Sequence, residues 1–176
     1  MPPTPKSFRL IYAPLPEETN DVEASTAFQY TQRAQTHLQE QGFQATASMI
    51  QEDSFSSMDT SVIIIFIVAC AADGSIHRSV RKATKKLNTT NNNDEDGTSN
   101  LSQSLALCLL GQSRCDNSAK QMNQTIFGAG RRVEKSFAAS HHALHQERLE
   151  TQVELVGPEQ DFDPWLESLM TSCRGA

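Results

Sequence analysis

Residues 61–74 read SVIIIFIVACAADG, Ser61 to Gly74. The apolar part, Val62 to Ala72, is 11 residues long, well short of the ~20 that a membrane-spanning helix needs. β-Branched Val and Ile dominate it and Asp-Gly ends it, so it is expected to be a strand covered on both faces, at the centre of a sheet. Gly111 ends a second run of the same kind, Leu105 to Leu110 (LALCLL). Two buried neighbouring strands of this type mark a parallel sheet with helices on both sides.

The rest of the chain supplies the outer strands and the helices. Phe8 to Tyr12 is a short β-prone run. Ala24, Ala27, Phe28, Thr31, Ala34 and Leu38 recur at spacings of three and four, which predicts an amphipathic helix stopped by Gly42. Phe43, Ala45, Ala47 and Met49 alternate with polar residues, the period of a strand at or near a sheet edge. His77 to Leu87 carries Arg78, Arg81, Lys82, Lys85 and Lys86 on one side. This reads as a solvated basic helix face, or, more sharply, as a face that docks on an acidic partner. The stretch from Asn88 to Ser104 has one Leu and no core-forming pattern, and reads as a mobile polar loop inside a single domain spanning 1–176. Met122, Ile126, Val133, Phe137, Leu144 and Leu149 fall at helical intervals. Thr151 to Val156 alternates like a short strand, and Phe162, Trp165, Leu166 and Leu169 form the apolar stripe of a last helix over Asp161 to Met170. Strand and helix thus alternate five times, and in such folds ligands bind at the carboxyl ends of the strands.

Composition narrows the function. Fifteen basic against 21 acidic residues give a net charge of −6, so no direct nucleic-acid binding is expected, because that affinity rests on clustered Lys and Arg. Neither a membrane span nor a secretory leader is legible, and the expected location is the cytoplasm, with organelle import left open. Cys70, Cys108, Cys115 and Cys173 make no C-x-x-C pair, and those inside apolar runs read as buried small hydrophobes. His141 and His145 share one helix face, but no carboxylate or Cys at motif spacing completes a metal site. No G-x-S-x-G elbow, G-x-G-x-x-G turn after a strand or phosphate-binding P-loop occurs, so no catalytic residue is assigned.

In order along the chain, three blocks carry a resemblance: Ala71-Ala72-Asp73-Gly74 after the central strand, Phe127-Gly128-Ala129-Gly130-Arg131-Arg132-Val133-Glu134-Lys135-Ser136-Phe137 after Leu110-Gly111, and Glu159-Gln160-Asp161-Phe162-Asp163-Pro164-Trp165 near the end. They resemble the T-Y-G-D-G loop, the F-N-x-x-G-[KR] block and the acidic E-E-D-F-x-x-W helix of the flavodoxin-like FMN domains of diflavin reductases, such as the P450 reductase and sulfite reductase flavoproteins. The resemblance implies a three-layer α/β fold with a five-stranded parallel sheet in the order 2-1-3-4-5. It also implies FMN at the loops after the first, third and fourth strands. On that carry-over Thr19, Ser25 and Thr26 would hold the phosphate. The flavin ring would lie against Ala71, Ala72, Asp73 and Gly74 on one side and Gly111 and Gln112 on the other.

The same loops depart from the family. The turn after the first strand should be short and glycine-containing, so that backbone N–H groups wrap a phosphate at a helix N-terminus. Here Ala13 to Thr26 reads APLPEETNDVEAST, with no Gly, two prolines that have no N–H, and the acids Glu17, Glu18, Asp21 and Glu23. Ala71 stands at the first flavin-stacking Tyr position, and Gln124 or Cys115 falls near the second. His77 and Phe127 are the remaining candidates to lie against a ring. Two readings follow. One is a degenerate flavodoxin-like domain with an eroded FMN site, no bound cofactor and no enzymatic role, acting as a protein-interaction or structural module in a multi-subunit assembly. The other is an FMN-binding electron-transfer domain, an FMN-dependent oxidoreductase component serving a separate NAD(P)H-dependent reductase.

Overall fold

The computed structural model describes residues 7–18, 20–54, 62–70, 75–92, 105–111, 151–154 and 158–174. Strands β1 (Ser7–Ala13), β2 (Gln44–Met49), β3 (Val62–Cys70) and β4 (Leu105–Gly111) form a parallel sheet in the order β2-β1-β3-β4. A short strand β5 (Thr151–Glu154) pairs parallel with the outer side of β4. Among the described residues three α-helices belong to it: α1 (Thr26–Glu40), α2 (Arg78–Asn92) and α3 (Pro158–Arg174).

The apolar run that decides the fold is the sheet's centre. Residues 63 to 70 of β3 are all buried, and they divide by parity, as a pleated strand must. Ile63, Ile65, Ile67 and Ala69 pack with α1 and α3 on one face, together with Phe8, Leu10, Tyr12 and Leu110. Ile64, Phe66, Val68 and Cys70 pack with Val80 and Ala83 of α2 on the other, together with Ile11, Leu107 and Leu109. Neither face of β3 meets water, which is why its sequence shows no alternation. On β2, by contrast, Gln44, Thr46 and Ser48 are exposed and Ala45 is buried, as its alternation predicts. Its place at the edge leaves the Ala45 carbonyl to two helix side chains: Gln35 and Gln39 each donate an Nε2–H to it at 3.1 Å. Covering an edge in this way discourages pairing with another chain.

Helix α1 is bounded by sequence-specific chemistry. Ser25 caps its start, and its end is a Schellman turn in which Phe43 N–H donates to Leu38 C=O and Gly42 N–H to Gln39 C=O, each at 3.0 Å. Gly42 sits at φ +85°, a left-handed conformation that costs a Cβ-bearing residue roughly 1 kcal/mol or more. Phe43 then packs edge-on against Phe8, with ring centroids 5.2 Å apart.

Helix α3 runs alongside α1 in the same direction. Phe162 meets Tyr30 edge-on at 4.8 Å, Arg33 pairs with Asp163, and His37 Nε2 lies 2.7 Å from Glu167 Oε1 one turn further along both helices. α3 begins three residues earlier than its apolar stripe suggests. Pro158 is its first residue, where a missing N–H costs nothing, and Pro164 lies inside it. Helix α2 is longer than its apolar pattern predicts. It continues through Asn92, five residues into the stretch read as a polar loop, because extending a formed helix is far easier than nucleating one. The rest of that stretch, 93–104, lies outside the described residues, as do the helical intervals between Met122 and Leu149 and the histidines at 141, 142 and 145.

Candidate functional site

The strand register brings the carboxyl ends together along one edge. Ala13 pairs with Val68, Cys70 with Gly111, and Gly111 with Glu154. The loop after β1 is the best described of the three that leave this edge. It is built as two short 3-10 turns, Pro16–Glu18 and Val22–Ala24, instead of one tight turn. The first is capped in a recognisable way. Leu15 precedes it, Pro16 takes the position where no N–H is needed, and Glu18 reaches back so that Oε2 accepts the Leu15 N–H at 3.1 Å. Glu18 N–H in turn donates to Leu15 C=O at 3.0 Å, and Asp21 N–H to Glu18 C=O at 3.2 Å.

The second turn hands over to α1 through Ser25. Its hydroxyl donates to the Val22 carbonyl at 2.6 Å and accepts the Phe28 N–H at 3.2 Å. Ser25 N–H also returns to Val22 C=O, at 3.0 Å, and the residue is fully buried. A hydroxyl has one hydrogen to give. The Ser25 hydrogen is given to Val22, so an anion would find only acceptor lone pairs on this oxygen.

The electrostatics point the same way. Glu17, Asp21 and Glu23 are exposed on this loop, and Glu18 is half-buried. One of these charges is felt at the sheet edge: burial first, and then the charge of Glu23, hold the Tyr12 phenol above its ordinary pKa. Tyr12 is buried on β1 and packs edge-on against Phe28 at 5.4 Å. It belongs to the core and does not form a stacking surface.

Several donors of this loop are thus unavailable to the FMN phosphate that the resemblance implies. A dianion needs converging N–H and O–H donors. Pro14 and Pro16 have none, the N–H groups of Leu15, Glu18, Asp21 and Ser25 are already bonded within the loop, and the neighbouring charges are negative. Thr26 opens α1 and is half-buried, and Gly111 ends β4. Of the sequence-assigned residues, the structure thus places Ser25, Thr26 and Gly111 at the ends of their elements on this edge. Thr19, Ala71, Ala72, Asp73, Gly74 and Gln112 lie outside the described residues.

The loop after β3 re-enters description at Ser75. Ile76 is buried in the α2-side core, and His77, a candidate to lie against a flavin ring, is buried and fixed as the cap of α2. Its Nδ1 accepts the Ser79 N–H at 3.2 Å and its carbonyl accepts the Val80 N–H at 3.1 Å. Capping requires Nδ1 to be unprotonated, and burial lowers the His77 pKa from its ordinary value of 6.5. The unfolded chain thus takes up the proton first as pH falls. Stability from this group is complete above about pH 6.5 and declines as pH drops from there through the lowered folded value. Urea midpoints of the natural chain should fall between about pH 7.5 and about pH 5.5 by more than those of His77→Asn, whose amide oxygen caps without titrating. Equal pH slopes in the two proteins would remove His77 as the cause.

Neither the Glu18 back-bond nor the His77 cap was assigned from sequence. The first had a signal in Leu15-Pro16-Glu17-Glu18, a proline at the first position and an acid at the third. The second had none, because His is an uncommon cap. The buried thiols are structural: burial pushes Cys108 far above the ordinary thiol range, with Cys70 adding to the shift, so it stays a thiol. Among the described residues no group of three or more His, Cys, Asp or Glu is placed to hold a metal, and no described helix is long and apolar enough to cross a membrane.

No protein-family model and no curated protein matches the sequence. Solved structures do match. A cysteine-to-serine mutant of flavodoxin from Pseudomonas aeruginosa aligns over 93% of this chain and 95% of its own, with a TM-score of 0.56 and 15% identity. Oxidised flavodoxin 1 from Bacillus cereus aligns over 92% and 93%, with a TM-score of 0.56 and 14% identity. The chain has a flavodoxin-like fold.

Proposed function

We propose that this chain is a flavodoxin-fold module of the cytoplasm whose FMN site has eroded, and that it acts through protein contacts in a multi-subunit assembly. The resemblance of its loop blocks to the FMN domains of diflavin reductases gives the site from which it departed. One observation carries the reading: the loop after β1 turns Ser25 and Glu18 back on itself. The Ser25 hydroxyl gives its hydrogen to Val22, and the Glu18 carboxylate occupies the Leu15 N–H. A loop that supplies its own anion and its own cap has little left with which to attract a phosphate.

The test is the visible spectrum of the purified protein followed by a titration with FMN, read as flavin fluorescence. The expected result is a colourless protein that leaves FMN fluorescence unchanged. Flavin that co-purifies, or quenching at micromolar FMN that disappears on Thr26→Asp, would instead make the chain an FMN electron carrier in need of a separate NAD(P)H-dependent reductase.

A further inference from the structure

Helix α2 carries a charge pattern that works against its own stability. Its sequence, RSVRKATKKLNTTNN, has five cations and no acid. Arg78, Arg81, Lys82 and Lys85 are exposed and fall at spacings of three, four and seven, so they form one stripe, while Val80, Ala83 and Thr84 are buried on the opposite side. Like charges at these spacings repel, and cations in the first turns oppose the helix dipole. Lys82 is paired with Glu52, but Arg78 and Arg81 have no ion-pair partner among the described residues. Arg78 and Arg81 thus break these local rules with no ion pair among the described residues to offset them, as expected at a functional surface.

We infer that the α2 stripe docks a short acidic segment of a protein partner. The stripe is convex and about 10 Å long, from the helical rise over seven residues, which suits two or three carboxylates on one turn of helix or a few residues of extended chain. A long nucleic acid meets too few cations here and faces the repulsion of a chain with net charge −6. An anionic membrane surface favours apolar residues beside the cations, and the exposed positions Arg78, Arg81, Lys82 and Lys85 provide none. The inference rests on the interaction-module reading, yet the two fail separately. FMN binding would end that reading without changing a peptide titration, and a silent peptide titration would end this inference without changing the flavin result.

The probe is a fluorescein-labelled helical peptide with Glu at positions i, i+3, i+4 and i+7, beside a Gln-for-Glu control, titrated with the full chain. The expected result is binding at about 25 mM NaCl that weakens several-fold by about 150 mM. It should be lost by about tenfold or more in Arg81→Glu/Lys85→Glu, with circular dichroism confirming the fold, and be absent for the Gln peptide. Absence of binding at the lower salt, or binding indifferent to the double reversal, overturns the inference. So does tighter binding to a DNA duplex or to phosphatidylserine vesicles. Salt-sensitive self-association that the same reversal abolishes overturns it in favour of a second copy of the chain.

Discussion

Phe162→Ala is expected to lower the unfolding free energy by about 3 to 5 kcal/mol, a large share of the roughly 5 to 15 kcal/mol typical of a domain. The side chain is completely buried, edge-on to Tyr30 at 4.8 Å and 5.6 Å from Trp165, at the start of the stripe by which α3 covers the sheet. Removing the ring leaves a cavity between α1, α3 and the odd-numbered side chains of β3, which closes only in part. The ion pairs on the outside of the same helix contact do not offset this loss. Arg33 and Asp163 are 41% and 46% exposed, and surface pairs of this kind contribute about 0 to 1 kcal/mol. Urea unfolding at equilibrium should therefore rank Phe162→Ala far below Arg33→Ala, with Phe162→Leu between them. A loss under about 1 kcal/mol for Phe162→Ala would mean that α3 does not cover this face of the sheet.

How much of this was legible beforehand depended on whether the signal was periodic. β3 declared itself because eight consecutive buried positions leave an apolar run with little else to be, and α1 because Ala27, Ala34 and Leu38 keep helical spacing up to a glycine stop. The stripe of α3 was equally plain, but its true start was not: Pro158 reads as a breaker until its place at the first helical position is known. The far end of α2 was illegible for the opposite reason. Asn88, Thr89, Thr90 and Asn91 are weak helix formers, and only continuation from the packed turn at Val80 to Thr84 accounts for their conformation.

The site was legible as chemistry but not as geometry. The missing glycine, the prolines and the four acids of the loop after β1 could be read from the residues, and each argued against a phosphate. That Ser25 spends its hydrogen on Val22, or that Glu18 folds back on Leu15, depends on 3-10 turns of three residues each, too short to leave a periodic trace.

Ser25 separates the structural account of this loop from the cofactor account, because the two predict different losses. As a cap, its replacement by Ala leaves the Phe28 N–H without its partner and the Val22 carbonyl with only the Ser25 backbone N–H, at a fully buried position, and stability should fall by about 1 to 2 kcal/mol. As a phosphate ligand, the same replacement would cost FMN affinity and little stability. The neighbouring Thr26 provides the internal control. Thr26→Asp places a carboxylate in the first turn of α1, where the helix dipole favours it by about 0.3 to 1 kcal/mol, while adding to the negative charge that any phosphate would meet. The expected pair of results is a destabilised Ser25→Ala and an unchanged or slightly stabilised Thr26→Asp, with the flavin titration flat in both, because the Ser25 hydroxyl is spent on Val22 and the loop is acidic. A Ser25→Ala chain that unfolds at the natural urea midpoint would show that the hydroxyl is not holding the helix start, and the case for a loop turned back on itself would go with it.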